Sequence, residues 1–259
     1  MKTKHVIWNG GKEQKAVNAL LGSGGMIVSA TKVGYIIMTT DRRGLGRKFS
    51  AKQRALNKPG VVLCSSMEQL RELAQLNGEI EAFYQTAWDN DILLGCILPW
   101  NQSAKRLIPS DGSDELMMDR RSTTCFVIKF GLPSEIIAQS LWTDHRKIAF
   151  ASSANPSGGG NSGRVEGIGD RIASEADLII DADDYVGSIQ PGKDEHTRYE
   201  QGVMVSMVDA DGNLVPEQKG QRSVTPGPVI IRKGLDVDKV MSMMSNSFQS
   251  WDYRQGTYY

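Results

Sequence analysis

Residues 147–160 read KIAFASSANPSGGG: a short apolar run, Lys147–Ala151, passes straight into a polar, glycine-rich turn. Open α/β sheets bind ligands beyond the C-terminal ends of their strands, at turns of this kind. Backbone N–H groups there can face an anion, and Ser152, Ser153 and Asn155 add donors. Taken alone, the stretch also reads as an ordinary loop of turn formers, with Asn155-Pro156 starting a turn. The Gly-x-x-x-x-Gly-Lys-Ser/Thr spacing of a P-loop is absent, and so is a dinucleotide fingerprint.

Working outward, short runs rich in Val and Ile alternate with helical patterns, which predicts an α/β layer fold. The strand candidates are Met26–Ala30, Tyr35–Met38, Val61–Cys64, Leu93–Leu98, Thr124–Phe130, Lys147–Ala151, Asp177–Asp181, Val203–Val208 and Val229–Ile231. Their near-continuous apolar character is that of strands buried on both faces. Helical spacing appears over 67–76, opened by Ser66 and Gln69 as a capping box. It appears again after Pro133, where Ser134 is the expected cap, and over 164–176 and 236–245. Residues 101–123 read as a polar insertion, and 182–202 and 209–228 as long loops without internal pattern. The expected division is one domain over 1–245 and a tail over 246–259, aromatic and polar.

The 259 residues are enough for a sizeable core without staples. A hydrophobic fraction of 40% and a charged fraction of 23% are those of an ordinary soluble globular protein. Formal net charge is zero, so global charge does not point to nucleic acid or a membrane. Cys64, Cys96 and Cys125 lie far apart in apolar runs and read as buried reduced thiols rather than metal ligands. The first residues, MKTKHVIWNGG, hold no apolar signal core, and no run is long enough to span a bilayer, so the expected location is cytoplasmic.

Charge is concentrated locally instead. Arg42, Arg43, Arg47, Lys48, Lys52, Arg54 and Lys58 stand against the single acid Asp41. Such a run is commonly a solvated face. Here it follows a buried-type strand and is tied to the next one by Lys58-Pro59-Gly60. Lys52 and Arg54 converge if the chain is extended or turning between them, and together they offer a point charge and a planar fork to phosphate.

In this order and at this separation the two constellations resemble the YrdC-like family of threonylcarbamoyl-AMP synthases, marked by Lys-x-Arg and then Ser-x-Asn. The signature stands as Lys52-Gln53-Arg54 and Ser153-Ala154-Asn155. KQRALNKPGVVLCSSMEQL (52–70), DLIIDADD (177–184) and VIIRKG (229–234) extend the resemblance, which covers residues 12–240 in outline. It implies a three-layer fold, a twisted mixed sheet with helices on both faces around a positively charged cavity. It implies the use of ATP, bicarbonate and threonine: a carbamate of the amino acid attacks the α-phosphate and pyrophosphate leaves. The product serves tRNA threonylcarbamoyl modification through partner proteins. By resemblance, Lys52 and Arg54 hold phosphates and developing charge, Ser153 and Asn155 bind the nucleotide, and Arg232 adds a phosphate contact. Mg²⁺ is held mainly by the phosphates, with no protein metal site.

The amino-acid half departs from the pattern. Of the family's first motif Thr31 and Tyr35 remain, while its acid becomes Lys32. Its arginine before the Leu-Pro step becomes Lys129, and its hydroxyl-rich strand keeps Ser206 and Asp209. Thr31, Tyr35, Lys129 and Ser206 are the expected substrate-binding residues. Two readings stay open: a carbamoyl-adenylate synthase acting on threonine or on another amine or carbamoyl donor, and an RNA- or nucleotide-binding module that has lost the chemistry.

Overall fold

A computed structural model describes residues 5–53, 60–156 and 159–254. The strands are β1 (His5–Ile7), β2 (Ile27–Thr31), β3 (Gly34–Thr39), β4 (Val61–Leu63), β5 (Leu94–Pro99), β6 (Thr123–Ile128), β7 (Ala149–Ser153), β8 (Leu178–Asp181), β9 (Val203–Ser206), β10 (Val229–Arg232) and β11 (Asp252–Tyr253). The helices are α1 (Gln14–Leu21), α2 (Arg42–Lys52), α3 (Met67–Leu73), α4 (Gly78–Asp89), α5 (Asp114–Met117), α6 (Ser134–His145), α7 (Asp170–Glu175), α8 (Asp183–Ile189) and α9 (Val237–Ser247). The strands form one 11-stranded mixed sheet in the order β1-β8-β2-β3-β7-β4-β6-β5-β9-β10-β11. All nine expected strands are present, and helices cover both faces.

Paired residues in a ladder share a face. On one face, Ile27, Met38, Leu63, Ala149 and Ala151 pack under Val17 and Leu20 of α1 and Ile137 and Leu141 of α6. On the other, Val62, Phe126, Cys96, Val205 and Ile230 pack under α3, α4 and α9, with Phe83 of α4 meeting Phe248 edge-on at 5.4 Å. A third cluster on that side joins Val28, Ala30, Tyr35 and Ile37 to Ile172 of α7 and Val186 of α8.

Several local expectations are corrected. The cation-rich segment, left open between a solvated helix face and a loop, is helical: residues 42–52 form α2, opened by Asp41, whose Oδ1 accepts from Gly44 N at 2.7 Å. Its helical signal was masked by Gly44 and Gly46, which lower helix propensity. Residues 164–176 do not form one helix: the chain makes a 3₁₀ turn at Val165–Ile168 and breaks at Gly169, whose φ is +80°, before α7. Ser134 is inside α6 rather than its cap, and its hydroxyl lies 2.7 Å from Ala30 O, tying the helix to β2. The stretch 182–202, read as patternless, contains α8. The expected boundary at 245 cuts α9, and the described part of the tail, up to residue 254, is docked, with Phe248 buried and β11 pairing in parallel with β10.

Among the described residues no helix is long and apolar enough to cross a membrane. The three cysteines are free and buried, as expected.

Candidate functional site

The face shared with α1 and α6 is left partly open over the middle of the sheet. Register carries a row across it: Ile36 pairs with Ser153, Val61 with Ala151 and Cys125, Cys125 with Ile97, Ile97 with Ser206, and Ser206 with Val229. Ile36, Ser153, Val61, Ser206 and Val229 are half-buried, so this row floors a trough. Over β5, β9 and β10 it deepens into a cavity of about 1410 Å³, walled by Asp119 and Arg121 on one side and Trp251 on the other.

At the β7 border of the trough the two sequence constellations meet. Lys52 closes α2 with its side chain almost wholly buried, and the helix stops because Gln53 takes a left-handed φ of 49°. Lys52 Nζ donates to Ser153 Oγ at 3.0 Å and to the Ser153 carbonyl, across 101 residues of sequence. Arg54 lies outside the described residues. Ala154 N donates to Tyr35 O at 2.8 Å, which fixes the start of the turn to β3. Asn155 is turned inward: its Nδ2 donates to Pro156 O at 3.2 Å and to Gly159 O, holding the turn closed.

The remaining expected residues divide. Ser206 stands on the trough floor, its hydroxyl 3.2 Å from Val208 O. Arg232, at the end of β10, donates from Nε to Gly202 O at 3.1 Å. Burial pushes the Cys125 thiol up to about 12, and the nearby Arg232 charge pulls the other way. Thr31 is buried in the β2–β3 turn, donating to Gly34 O at 2.7 Å. Tyr35 does not reach the trough. Strand alternation sends it to the opposite face, fully buried, with its hydroxyl 2.5 Å from Asp183 Oδ1 and accepting from Ala182 N at 2.9 Å. Burial first, and then Asp183, hold that phenol well above the ordinary tyrosine range.

Lys129 follows β6 with a φ of 53°, its ammonium 4.2 Å above the Trp88 ring and 3.8 Å from Asp91 Oδ1. Asp91 also receives Lys32, at 2.8 Å. Sequence reading singled out Lys32 and Lys129 but missed Trp88, in the last turn of α4, and Asp91, which follows it; the missed signal was the helical spacing of Ile80, Phe83, Tyr84 and Ala87. Among the described residues no group of three His, Cys, Asp or Glu could hold a metal ion. Charge of both signs lines the cavity, Arg120, Arg121 and Arg254 against acids such as Asp119, Asp209 and Asp252, while Lys52 and Ser153 stand outside its lining, at the β7 end of the row.

Among solved structures, the hypothetical protein smu.1377c from Streptococcus mutans UA159 is 58% identical, with 100% of both chains covered and a TM-score of 0.94. Sua5 of P. abyssi, complexed with L-threonine, matches with a TM-score of 0.61 at 20% identity, over 95% of this chain and 61% of its own. YciO of E. coli matches with a TM-score of 0.57 at 17% identity, over 89% of this chain and 94% of its own. The last two are likenesses of fold. No curated protein matches the chain. A family model covering Sua5, YciO and YrdC, described as telomere recombination, matches residues 19–191. That match takes in β2 through β8, with Lys52 and the Ser153 turn inside it, and the chain belongs to the Sua5/YciO/YrdC family.

Proposed function

We propose that this chain is an ATP-dependent nucleotidyltransferase of the threonylcarbamoyl-AMP synthase type, joining the carbamate of an amino acid to AMP with release of pyrophosphate. The observation that carries the reading is Lys52 Nζ seated on Ser153, a buried cation placed by α2 at a polar, glycine-rich turn that follows β7. Adenylyl transfer needs positioning and charge neutralisation more than an acid–base pair. The site residues fit that need.

In the proposed reaction the amine takes up carbon dioxide from bicarbonate to give a carbamate. A carbamate oxygen then forms a bond to the α-phosphorus of ATP. The bond from that phosphorus to the bridging oxygen breaks, and its electron pair leaves with pyrophosphate. Lys52 and Arg54 neutralise the phosphates, Arg232 adds a third positive charge from β10, and Ser153 donates to the nucleotide. Asn155 keeps the turn in shape. Mg²⁺ shields phosphate charge when bound. The protein offers it no carboxylate cage among the described residues, which fits an ion held mainly by the nucleotide. Threonine is the first amine to test, because the P. abyssi Sua5 structure holds it. The adenylate would then serve tRNA modification through partner proteins.

The test is pyrophosphate release by the purified protein with ATP, Mg²⁺ and bicarbonate across a panel of amino acids and carbamoyl phosphate. Release that depends on both an amine and bicarbonate supports the proposal. Absence of turnover with every substrate, together with RNA binding that weakens steeply with salt, would instead establish a binding module.

A further inference from the structure

A glycine-rich turn after a strand is suited to hold an anion on its N–H groups, and the turn after β7 already holds one supplied by the chain itself. Ala154 N is spent on Tyr35 O and Gly159 N on Pro156 O, at 2.8 and 3.0 Å. Asn161 N instead donates to a carboxylate, Glu200 Oε2, at 3.1 Å. The carboxylate lies so close over Gly160 that a Cβ there would stand 2.6 Å from Oε1. Among the described residues Asn161 N is the one hydrogen-bond donor to Glu200.

This contact stands next to the Lys52 site. Tyr35 O accepts from Ala154 N at 2.8 Å and from Asn161 Nδ2 at 3.0 Å. Two donors on one oxygen lie within about 6 Å of each other. Ala154 is the residue after Ser153, whose hydroxyl holds Lys52 Nζ at 3.0 Å. Asn161 is buried and fixed, its Oδ1 accepting from Tyr35 N and from Gly163 N, each at 3.3 Å.

Glu200 is delivered by residues 190–202, a strap between α8 and β9. Gln190, buried, accepts from Tyr199 N at 2.7 Å and donates to Tyr199 O at 2.9 Å. Leu235 N donates to Gln201 O at 2.8 Å. The backbone is therefore held on both sides of Glu200, while its side chain is exposed and can turn away by a rotamer change alone. Arg198 and Asp183 are the other charged groups that bear on this end of the strap. Arg198 donates to Val33 O at 3.4 Å, and burial lowers its pKa against the pull of Glu200 and Asp183. Asp183 is occupied by the Tyr35 hydroxyl and Val165 N.

We infer that Glu200 is a built-in competitor: its carboxylate occupies, on Asn161 N, the place that a phosphate group of the nucleotide takes. The inference rests on the reading that the turn takes phosphate, and it names how that site is regulated. Carboxylate and phosphate compete for one N–H and repel each other. With the latch made, the turn is open only part of the time, and apparent affinity falls in proportion. A latch worth one hydrogen bond weakens binding about three- to tenfold.

Titration calorimetry measures binding of ATP with Mg²⁺, and of inorganic tripolyphosphate, to the wild-type chain and three variants. Glu200→Ala removes the competitor. Glu200→Gln keeps an acceptor of the same shape without the charge. Glu195→Gln removes one charge from the same strap, where Glu195 is exposed beside His196. Glu200→Ala should bind both ligands about three- to tenfold tighter, and Glu200→Gln should gain part of that. Glu195→Gln should stay within about twofold of wild type, because an exposed charge without the contact is screened. Thermal unfolding checks that each variant is folded, and Glu200→Gln carries the test if Glu200→Ala is not. ATP affinity unchanged or weaker in the Glu200 variants overturns the inference, makes Glu200 a strut and leaves the nucleotide reading standing. An equal gain in Glu195→Gln also overturns it, since any lost charge would then suffice. If ATP binds to none of the proteins but tripolyphosphate gains on loss of Glu200, the nucleotide reading falls and the competitor stands. If neither ligand binds to any of them, both fall.

Discussion

Replacing Lys52 by methionine separates its proposed phosphate role, the first duty, from its structural contact, the second. In the folded chain the ammonium is almost wholly buried and bonds Ser153 at both its hydroxyl and its carbonyl. Charge-assisted hydrogen bonds contribute about 1.5–3 kcal/mol each. Loss of one such contact to a phosphate corresponds to roughly 10- to 150-fold weaker ATP binding. Methionine keeps most of the stem packing, but the Ser153 carbonyl loses a donor. A buried acceptor left without a partner costs about 1–3 kcal/mol of stability. For a chain of this size each 1 kcal/mol lowers Tm by about 2–4 °C. Titration calorimetry with ATP and Mg²⁺ reads the first duty and thermal unfolding without ligand reads the second. A variant whose Tm falls while its ATP affinity stays within about twofold of wild type would refute the phosphate role. Lys52 would then be a strut between α2 and β7.

Three further changes test other parts of the structure. Tyr35→Phe removes the hydroxyl shared by Asp183 and Ala182 N. It should lower stability by about 1–3 kcal/mol and leave the amine KM unchanged, and a raised KM would return Tyr35 to the amine site. Asp119 responds to acid: burial works to raise its carboxyl, but bonds from Thr123 N and Arg121 outweigh it and hold it below the ordinary aspartate range. Its stabilisation is therefore present above the unfolded-chain value of about 4 and is lost as pH falls through the lower folded value. Asp119→Asn should flatten the acid limb of the stability–pH curve, and an unchanged limb would sink that assignment. Phe248→Ala should cost about 3–5 kcal/mol in denaturant unfolding, because Phe248 packs against Phe83 in the core. A change within about 0.5 kcal/mol would place residues after 245 outside the folded unit after all.

The strands were legible because a strand buried on both faces leaves an unbroken Val- and Ile-rich run, as in Thr123–Ile128. The Lys52–Ser153 meeting was legible because the two residues, distant in sequence, fall in a recognisable order. What stayed hidden depends on partners that a linear reading cannot pair. Asp91 looks like a loop acid until Lys32 and Lys129 arrive from two other strand ends. Tyr35 kept its place in the resembling motif, yet alternation along β3 takes it to the far face. The helix α2 was obscured by its glycines and by arginines whose partners, such as Asp177 for Arg47, lie over a hundred residues away. Asn155, expected to bind nucleotide, donates from Nδ2 within its own turn, a contact that a linear reading does not pair.

The sheet ends on its outermost strands, β1 of 3 residues and β11 of 2 residues. An open sheet this wide would ordinarily present two long margins of unpaired amides and carbonyls, each a template for another chain. Among the described residues both margins are short, so little described backbone is left for a stray strand to zip onto. The breadth that makes room for the trough thus comes with narrow described edges.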